Sequence, residues 1–598
     1  MKKLCNYSLN FLLFLFIFTG YTLDANASNG IEYISPVNGS ILNNVHTSII
    51  FRLSDSPIDV NNIKLHISGI SNSNYAYSIK LADDNKTVII KPSQPFSFAE
   101  HIILDIPPIA LVTDEVTTPY TLNFYVQSSG IIPIHEDFLF SGELNNKDLQ
   151  PSKVRNDFAP LPADFPPVSV LTNNDPTPGG IFLSDLVIGS SNQGYGNYIM
   201  ILNNNGFPFY YKKLDVYGAD FKMLDNGHMV YYKLNGNFYE MDNNFNLVDT
   251  FSTTNGYSTD IHDFQKLADG SYYIISYDPE YVDMSSIVTG GIARATVTGA
   301  IIQKFDAHKN LVFQWRSWDT FNILDATHEN LRAVSIDYAH VNAIEPLPDG
   351  NLLVSSRHMD EVTKINTQTG EIIWRMGGKN NQFTFINDDI KFSHQHAVRV
   401  LPNGNMTLFD NGNFHSPPFS RAVEYKIDEK NMTVERVWQY RNTPDNFGFA
   451  LGYVQRLSNG NTLIGWGASN PNVTEVTPDG QKVLELSYPQ GMYSYRAYKF
   501  DWNRYVSTSV PTDYTLEQNF PNPFNPSTRI RFDMLSQGPA KLIVTDILGK
   551  EVSVLVNENL GMGTYEYTFN GAGFSSGVYF YTLAAGGKLQ TKRMLLVK

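Results

Sequence analysis

Five copies of one turn, Leu-x-(Asp/Asn)-Gly, begin at Leu224, Leu267, Leu347, Leu401 and Leu457, and histidines stand at set distances ahead of three of them. His262, Asn342 and His396 each lie five residues before their leucine, and His340 and His394 lie seven before theirs. Every offset is odd. Residues two apart on a strand share a face, so these polar groups are expected to point the same way from successive repeats. Core strands have no use for such a register, whereas a shared site does. Past the turn at Leu347, the returning strand ends on Arg357, at about the height of His340.

A neutral imidazole is a good nucleophile near pH 7 and can carry a group covalently from donor to acceptor. Arginine presents a planar fork matched to tetrahedral oxyanions. Further histidines and an asparagine can donate to oxygens where charge develops. His262, His340, Asn342, Arg357 and His396 together suit transfer of a sulfuryl or phosphoryl group. One buried histidine is more often a satisfied structural residue, but several in register with an arginine point to a site. A metal at His262, His340 and His396 is a competing use of the same residues. No acidic ligand accompanies the His394–His396 pair at a familiar spacing, so no metal is expected.

The elements that position these groups are β-strands. Aromatic residues make up 13% of the chain, 42 glycines and 31 prolines punctuate it, and long amphipathic helical patterns are scarce. Asn-Gly and Asp-Gly between apolar runs are strong hairpin signals, because such turns need positive φ. Ile365 to Trp374 reads as a further hairpin, the outer half of the blade that starts at His340. The leading leucines are 43, 80, 54 and 56 residues apart. A four-stranded propeller blade takes about 40–50 residues, so the 80-residue gap is expected to hide a blade, with further strands in Ile301 to Trp318. Residues 180–503 are therefore predicted to form a six-bladed β-propeller. Its innermost strands line a channel where residues from three blades converge.

The rest of the chain reads as flanking modules. Lys2 and Lys3, the apolar run Leu9 to Thr19 and Ala25-Asn26-Ala27 form a secretory signal over residues 1–27, too short in its apolar part to span a bilayer. Cys5 is the single cysteine and falls within that leader, so the mature chain is expected to carry neither disulfide nor thiol chemistry. Residues 28–130 alternate apolar and polar, as in Thr47 to Phe51 and Thr87 to Ile90, and predict an Ig-like β-sandwich acting as a spacer or docking module. A Pro-rich connector follows over 131–179, and a linker covers 504–513. The net charge of −15 argues against a nucleic-acid partner.

The C-terminal segment opens Phe520-Pro521-Asn522-Pro523-Phe524-Asn525-Pro526, contains Asp546-Ile547-Leu548-Gly549-Lys550 and ends Lys592-Arg593-Met594-Leu595-Leu596-Val597-Lys598. Over residues 514–598 it resembles the C-terminal sorting domain of type IX secretion substrates, a β-sandwich. The resemblance implies export through the periplasm, contact with the type IX machinery, and a secreted or cell-surface protein.

A second resemblance covers the predicted propeller. Ile261-His262-Asp263-Phe264, His340-Val341-Asn342-Ala343-Ile344, Ile373-Trp374-Arg375-Met376-Gly377-Gly378, Phe392-Ser393-His394-Gln395-His396, Leu408-Phe409-Asp410-Asn411-Gly412, Val454-Gln455-Arg456-Leu457 and Ser494-Tyr495-Arg496-Ala497-Tyr498 resemble the bacterial arylsulfate sulfotransferase family. That resemblance implies a six-bladed propeller with its site in the central channel. It also implies ping-pong transfer from a phenolic sulfate donor to a phenolic acceptor, with no cofactor. By motif, His396 resembles the nucleophile that becomes a sulfohistidine, and His394 on the same predicted face is the alternative. His262, His340 and Arg357 resemble residues that bind sulfuryl oxygens or assist the leaving phenol, and Asn342 resembles a further oxygen donor. Tyr338, Phe414 and Tyr495 are candidates to stack on a phenol or to fill blade interfaces. The contrasting reading is a secreted ligand-binding or adhesion propeller that keeps the scaffold without the chemistry.

Overall fold

The computed structural model describes residues 30–128, 161–187, 194–501, 514–534, 538–560 and 563–598. The secretory leader, most of the Pro-rich connector and the 504–513 linker therefore lie outside the described residues, apart from the connector's end. Among the described residues the chain is all-β, with only single helical turns between strands, and no helix is long and apolar enough to cross a membrane.

All five predicted turns share one geometry. In each, the glycine N–H donates to the leucine carbonyl at 2.8–3.0 Å, and the leucine N–H donates to the carbonyl four residues on at 2.8–2.9 Å. The glycines take φ between +79° and +91°, a region a Cβ disfavours. Each turn joins the first two strands of an antiparallel sheet. Those sheets begin with Gly218–Met223, Ser258–Lys266, Val341–Pro346, His396–Val400 and Tyr453–Arg456. The predicted hairpin pairs Glu361–Ile365 with Ile372–Gly377 as the outer half of the third of these.

The sixth sheet departs from expectation. Ile301 to Trp318 is no hidden repeat. The strands Tyr272–Val282 and Ala295–Phe305 are eleven residues each and, with Leu311–Arg316, complete the sheet begun by Ser258–Lys266. The 80-residue spacing comes from these long strands and from the segment leading to His340. The additional four-stranded sheet is built from both ends of the region: Gly180–Ser184, Asn197–Leu202 and Pro208–Leu214 are joined by Ala497–Phe500, whose Tyr498 pairs with Phe182. First strands of successive sheets touch in order. Ala497–Phe500 brings the contacts back to Gly180–Ser184, which in turn touches Gly218–Met223.

Residues 30–128 form a sandwich of a four-stranded and a three-stranded sheet around Phe51, Ile67, Val88, Leu104 and Phe124. It docks on the following sheets through polar contacts. Arg316 is buried and donates to Asn43 Oδ1 at 2.7 Å and to the carbonyls of Ile41 and Leu42, while the Tyr33 hydroxyl donates to the Gln314 carbonyl at 2.7 Å. At the C-terminus a two-stranded and a four-stranded sheet enclose Phe532, Leu542, Tyr581 and Leu596. Its proline-dense opening pairs only through isolated bridges at Phe520 and Phe524, as expected where prolines remove ladder donors.

One buried ion cluster ties the first strands together. Asp263 is fully buried and accepts two bonds from Arg399 Nη2 at 2.9 and 3.0 Å, one from Arg496 Nη1 at 3.1 Å and one from the Ile344 N–H at 3.0 Å. Lys222 lies 3.4 Å away and bridges to Asp220 at 2.6 Å. Tyr453 places its ring 5.6 Å from both guanidinium carbons. Every one of the six first strands is thus represented, counting Arg496 at the edge of Ala497–Phe500. Burial alone would raise the Asp263 pKa, but Arg399, Arg496 and Lys222 hold it far below the ordinary aspartate range. Its contribution to stability is therefore complete above pH ~4, the unfolded value, and fades only in stronger acid. Asp263→Asn, which leaves two guanidinium groups and an ammonium under-compensated, is expected to cost about 3–5 kcal/mol in urea unfolding at pH 7. A change below about 1 kcal/mol would show that the cluster does not hold the sheets together.

Candidate functional site

Three histidines converge, His262 and His396 on their first strands and His340 just before its own. One ring nitrogen each of His262, His340 and His396 lies within 4.8 Å of the others. Ring centroids are 4.9 Å apart for His262–His340 and 6.4 Å for His262–His396. The backbone arranges this by breaking the regular strand: the register slips between Thr259 and Phe264, between Val341 and Ala343, and between His396 and Arg399. His340 precedes its strand with φ +48°. Bulges of this kind re-aim side chains and recur beside functional sites.

In all three rings Nδ1 is committed to an oxygen. His262 Nδ1 lies 2.7 Å from Asp260 Oδ1, His340 Nδ1 2.6 Å from Asp337 Oδ2, and His396 Nδ1 2.6 Å from Asn411 Oδ1. The Asn411 orientation is set by its amide nitrogen, which donates to the carbonyls of Gly448 and Leu451. Its oxygen must therefore face His396, so Nδ1 carries the proton and Nε2 keeps the lone pair. The Leu451 N–H donates to that Nε2 at 3.3 Å. The Tyr495 hydroxyl donates to the His262 carbonyl at 2.9 Å, and the Tyr277 hydroxyl donates to the Val341 carbonyl at 3.1 Å, locking the neighbouring backbone.

Burial, reinforced by the positive charge of Arg357 and by the adjacent histidines, holds His396 well below the ordinary imidazole value, with the Asn411 bond pulling the other way. Burial, His262 and Arg357 act on His340 in the same direction. Arg357 follows its predicted position, its N–H donating to the His340 carbonyl at 2.9 Å. Its Nη1 donates to His358 Nε2 at 2.7 Å and its Nη2 to the Phe449 carbonyl at 3.0 Å, while Nε is buried with no protein partner. Asn342 commits Nδ2 to the Gln395 carbonyl at 2.7 Å and leaves Oδ1 buried and unpaired. A buried donor or acceptor left open is costly, and here both adjoin the histidines.

His394 parts company with His396. Its φ is +54°, its Nδ1 lies 2.9 Å from Asp360 Oδ1, and its Nε2 lies 3.8 Å from Glu329 Oε1. It groups with Glu329 and His358, outside the trio. Of the aromatic candidates, Tyr338 and Tyr495 are buried with their hydroxyls engaged, whereas Phe414 is 52% exposed and stacks on His328 at 3.5 Å. Sequence reasoning assigned no role to Asp260, Asp337 and Asn411, the partners that set the tautomers. The first two carried a local signal, an Asp two or three residues before a His, but Asn411 lies across a hairpin from His396.

A trio of imidazoles thus stands beside a guanidinium where antiparallel sheets meet. Residues 171–499 match the family model described as Arylsulfotransferase (ASST), and the chain belongs to that family. Residues 518–598 match the secretion system C-terminal sorting domain, and this tail directs export by the type IX route to the cell surface or beyond. The chain is 28% identical to the arylsulfate sulfotransferase AssT of Escherichia coli O6:H1 and 29% identical to that of Lelliottia amnigena. Each match covers 25% of this chain and 31% of the relative. Among solved structures, a Bacteroides caccae protein of unknown function aligns with TM-score 0.36 at 13% identity, over 54% of this chain and 99% of that one. A virginiamycin B lyase variant of Staphylococcus aureus aligns with TM-score 0.30 at 8% identity, over 53% and 88%. Both are too distant to bear on the site.

The neutral imidazoles have a measurable signature. Burial first, then His340, pushes His358 down to about 3, and His340 and His396 are lowered as well. In the unfolded chain such groups titrate near pH ~6.5. The stability they contribute is therefore complete above that value and is lost as the unfolded chain takes up protons below it. The melting temperature is expected to fall between pH 7 and 5, each group contributing at most about 1.4 kcal/mol per pH unit. His358→Gln should flatten that fall. A melting temperature constant across the range would remove the neutral-imidazole assignment.

Proposed function

We propose that the six sheets are the blades of a six-bladed propeller over residues 180–503, flanked by an Ig-like sandwich at 28–130 and a sorting sandwich at 514–598. On this reading the channel carries an aryl-sulfate sulfotransferase site. The observation that supports it most directly is the His396 ring, which keeps a lone pair on Nε2, faces two further imidazoles and feels the charge of Arg357.

The reaction runs in two halves. His396 Nε2 attacks sulfur of a phenolic sulfate ester, forming an N–S bond as the S–O bond to the phenol breaks, and the phenolate leaves with the electron pair. Its oxygen takes a proton from His262 in its imidazolium form, steadied by Asp260, which leaves that ring neutral. An acceptor phenol then gives its proton to the same base, and its oxygen attacks sulfur and releases His396. Arg357 orients the sulfuryl oxygens, and the open Asn342 Oδ1 accepts from the hydroxyl of the incoming phenol. Preorganised donors of this kind, acting where charge develops, typically contribute about 10²–10³ in rate each. His394 serves at the rim, turned towards Glu329.

The test is nitrophenolate release from 4-nitrophenyl sulfate by the full mature chain, with and without phenol. Release should rise with phenol, vanish in His396→Ala and persist in His394→Ala. Arg357→Ala should lose about 10²-fold or more in turnover. Release indifferent to phenol would make the protein a hydrolase. No release from several aryl sulfates, with ligand still bound, would make it a binding propeller.

A second reading has its own observation. Three histidines whose Nδ1 atoms are all anchored on oxygen, with one nitrogen of each within 4.8 Å of the others, also suit a three-histidine metal site. Turnover that survives exhaustive chelation and dialysis supports the sulfohistidine route. Turnover restored only by a stoichiometric divalent metal overturns it.

A further inference from the structure

We propose a second ligand site beside the histidine trio: a divalent transition-metal site of the zinc type, formed by Glu329, His358 and His394. The three residues come from separate segments: the stretch before Ser335–Asp337, the turn after Leu352–Ser356, and the approach to His396–Val400. Their ligand atoms lie within 4.8 Å of one another. Glu329 Oε1 is 3.7 Å from His358 Nε2 and 3.8 Å from His394 Nε2. Ligand atoms about 2.0–2.2 Å from a common tetrahedral ion are spaced only slightly closer than this.

The outer hydrogen bonds point to the same use. His358 Nδ1 donates to the Asp337 carbonyl at 2.5 Å, and His394 Nδ1 donates to Asp360 Oδ1 at 2.9 Å. Both rings are thereby fixed as Nδ1–H tautomers, with the lone pair on Nε2, 3.7–3.8 Å from Glu329 Oε1 in each case. An imidazole anchored on a carboxylate or carbonyl is the usual arrangement behind a metal ligand. The local charge suits a dication, since the carboxylates of Glu329, Asp337 and Asp360 outnumber the single guanidinium of Arg357. Two histidines and one glutamate leave a fourth position open, as in zinc sites that keep a water or substrate ligand.

Without metal, His358 Nε2 accepts from Arg357 Nη1 at 2.7 Å. A metal ion takes that lone pair, so Arg357 must release it, and Nη1 then turns away from His358. The site itself does not depend on the sulfotransferase reading, because none of its three ligands is required for transfer at His396.

The experiment uses full-length mature protein without a histidine tag, stripped by chelator, and titrated calorimetrically with Zn²⁺. A His396→Ala background removes the trio as a competing ligand set. One equivalent is expected to bind in that background. Adding Glu329→Ala or His394→Ala should abolish binding, and adding Asp360→Asn should weaken it by about 10–100-fold. Zinc should raise the melting temperature of the His396→Ala protein and leave that of the Glu329→Ala double variant unchanged. Equal metal-free melting temperatures would show that both are folded, and if Glu329→Ala fails there, Glu329→Gln takes its place. No zinc bound by His396→Ala, or binding undiminished without Glu329, overturns the site.

Discussion

Six sheets whose first strands touch one another in succession bring unlike groups together at those strands. The Asp263 cluster is their meeting point. One carboxylate from the second sheet faces Arg399 of the fourth, Arg496 at the edge of the last and Lys222 of the first, and it also takes the Ile344 N–H of the third. A buried carboxylate so paired is costly to disturb because any partner removed leaves an uncompensated charge in a low dielectric. The first strands are thereby tied together, and His262, one residue before Asp263, inherits its position from the same cluster.

The site is built on that rigidity by hydrogen bonds that act on protons. Asp260, Asp337 and Asn411 each take the Nδ1 side of one imidazole. Burial and Arg357 then keep His340 and His396 neutral. A nucleophile and its assisting bases need that state. Arg357 Nε and Asn342 Oδ1 are among the buried polar atoms that the described residues leave without a protein partner. An acceptor oxygen would complete the bonding of Arg357 Nε, and a hydroxyl donor that of Asn342 Oδ1.

Much of this was legible in the chain because it is local. The five Leu-x-(Asp/Asn)-Gly turns formed as expected, since a glycine at φ near +85° is a property of four residues. Arg357 returned to His340 because hairpin register follows from turn length. The face argument for the histidines succeeded in part: His262, His340 and His396 met, but His394 did not join them. Alternation holds only while the backbone stays extended, and φ of +54° at His394 and the slip after His396 break it. The expected repeat in Ile301 to Trp318 failed for a related reason. Spacing between turns cannot distinguish an extra sheet from two strands of eleven residues.

The amino-acid sequence alone determined what depends on neighbours in the chain: the hairpins, the all-β class, the export tail and the residue types able to transfer an anionic group. Tertiary structure decided what depends on residues far apart. It closed the sixth sheet by pairing Phe182 with Tyr498, and it turned Asn411 towards His396 through carbonyls at Gly448 and Leu451. It also sorted two histidines two residues apart into separate clusters. Turns are written by short-range sterics, whereas a proton's place on an imidazole is set by whichever acceptor the folded chain brings to it.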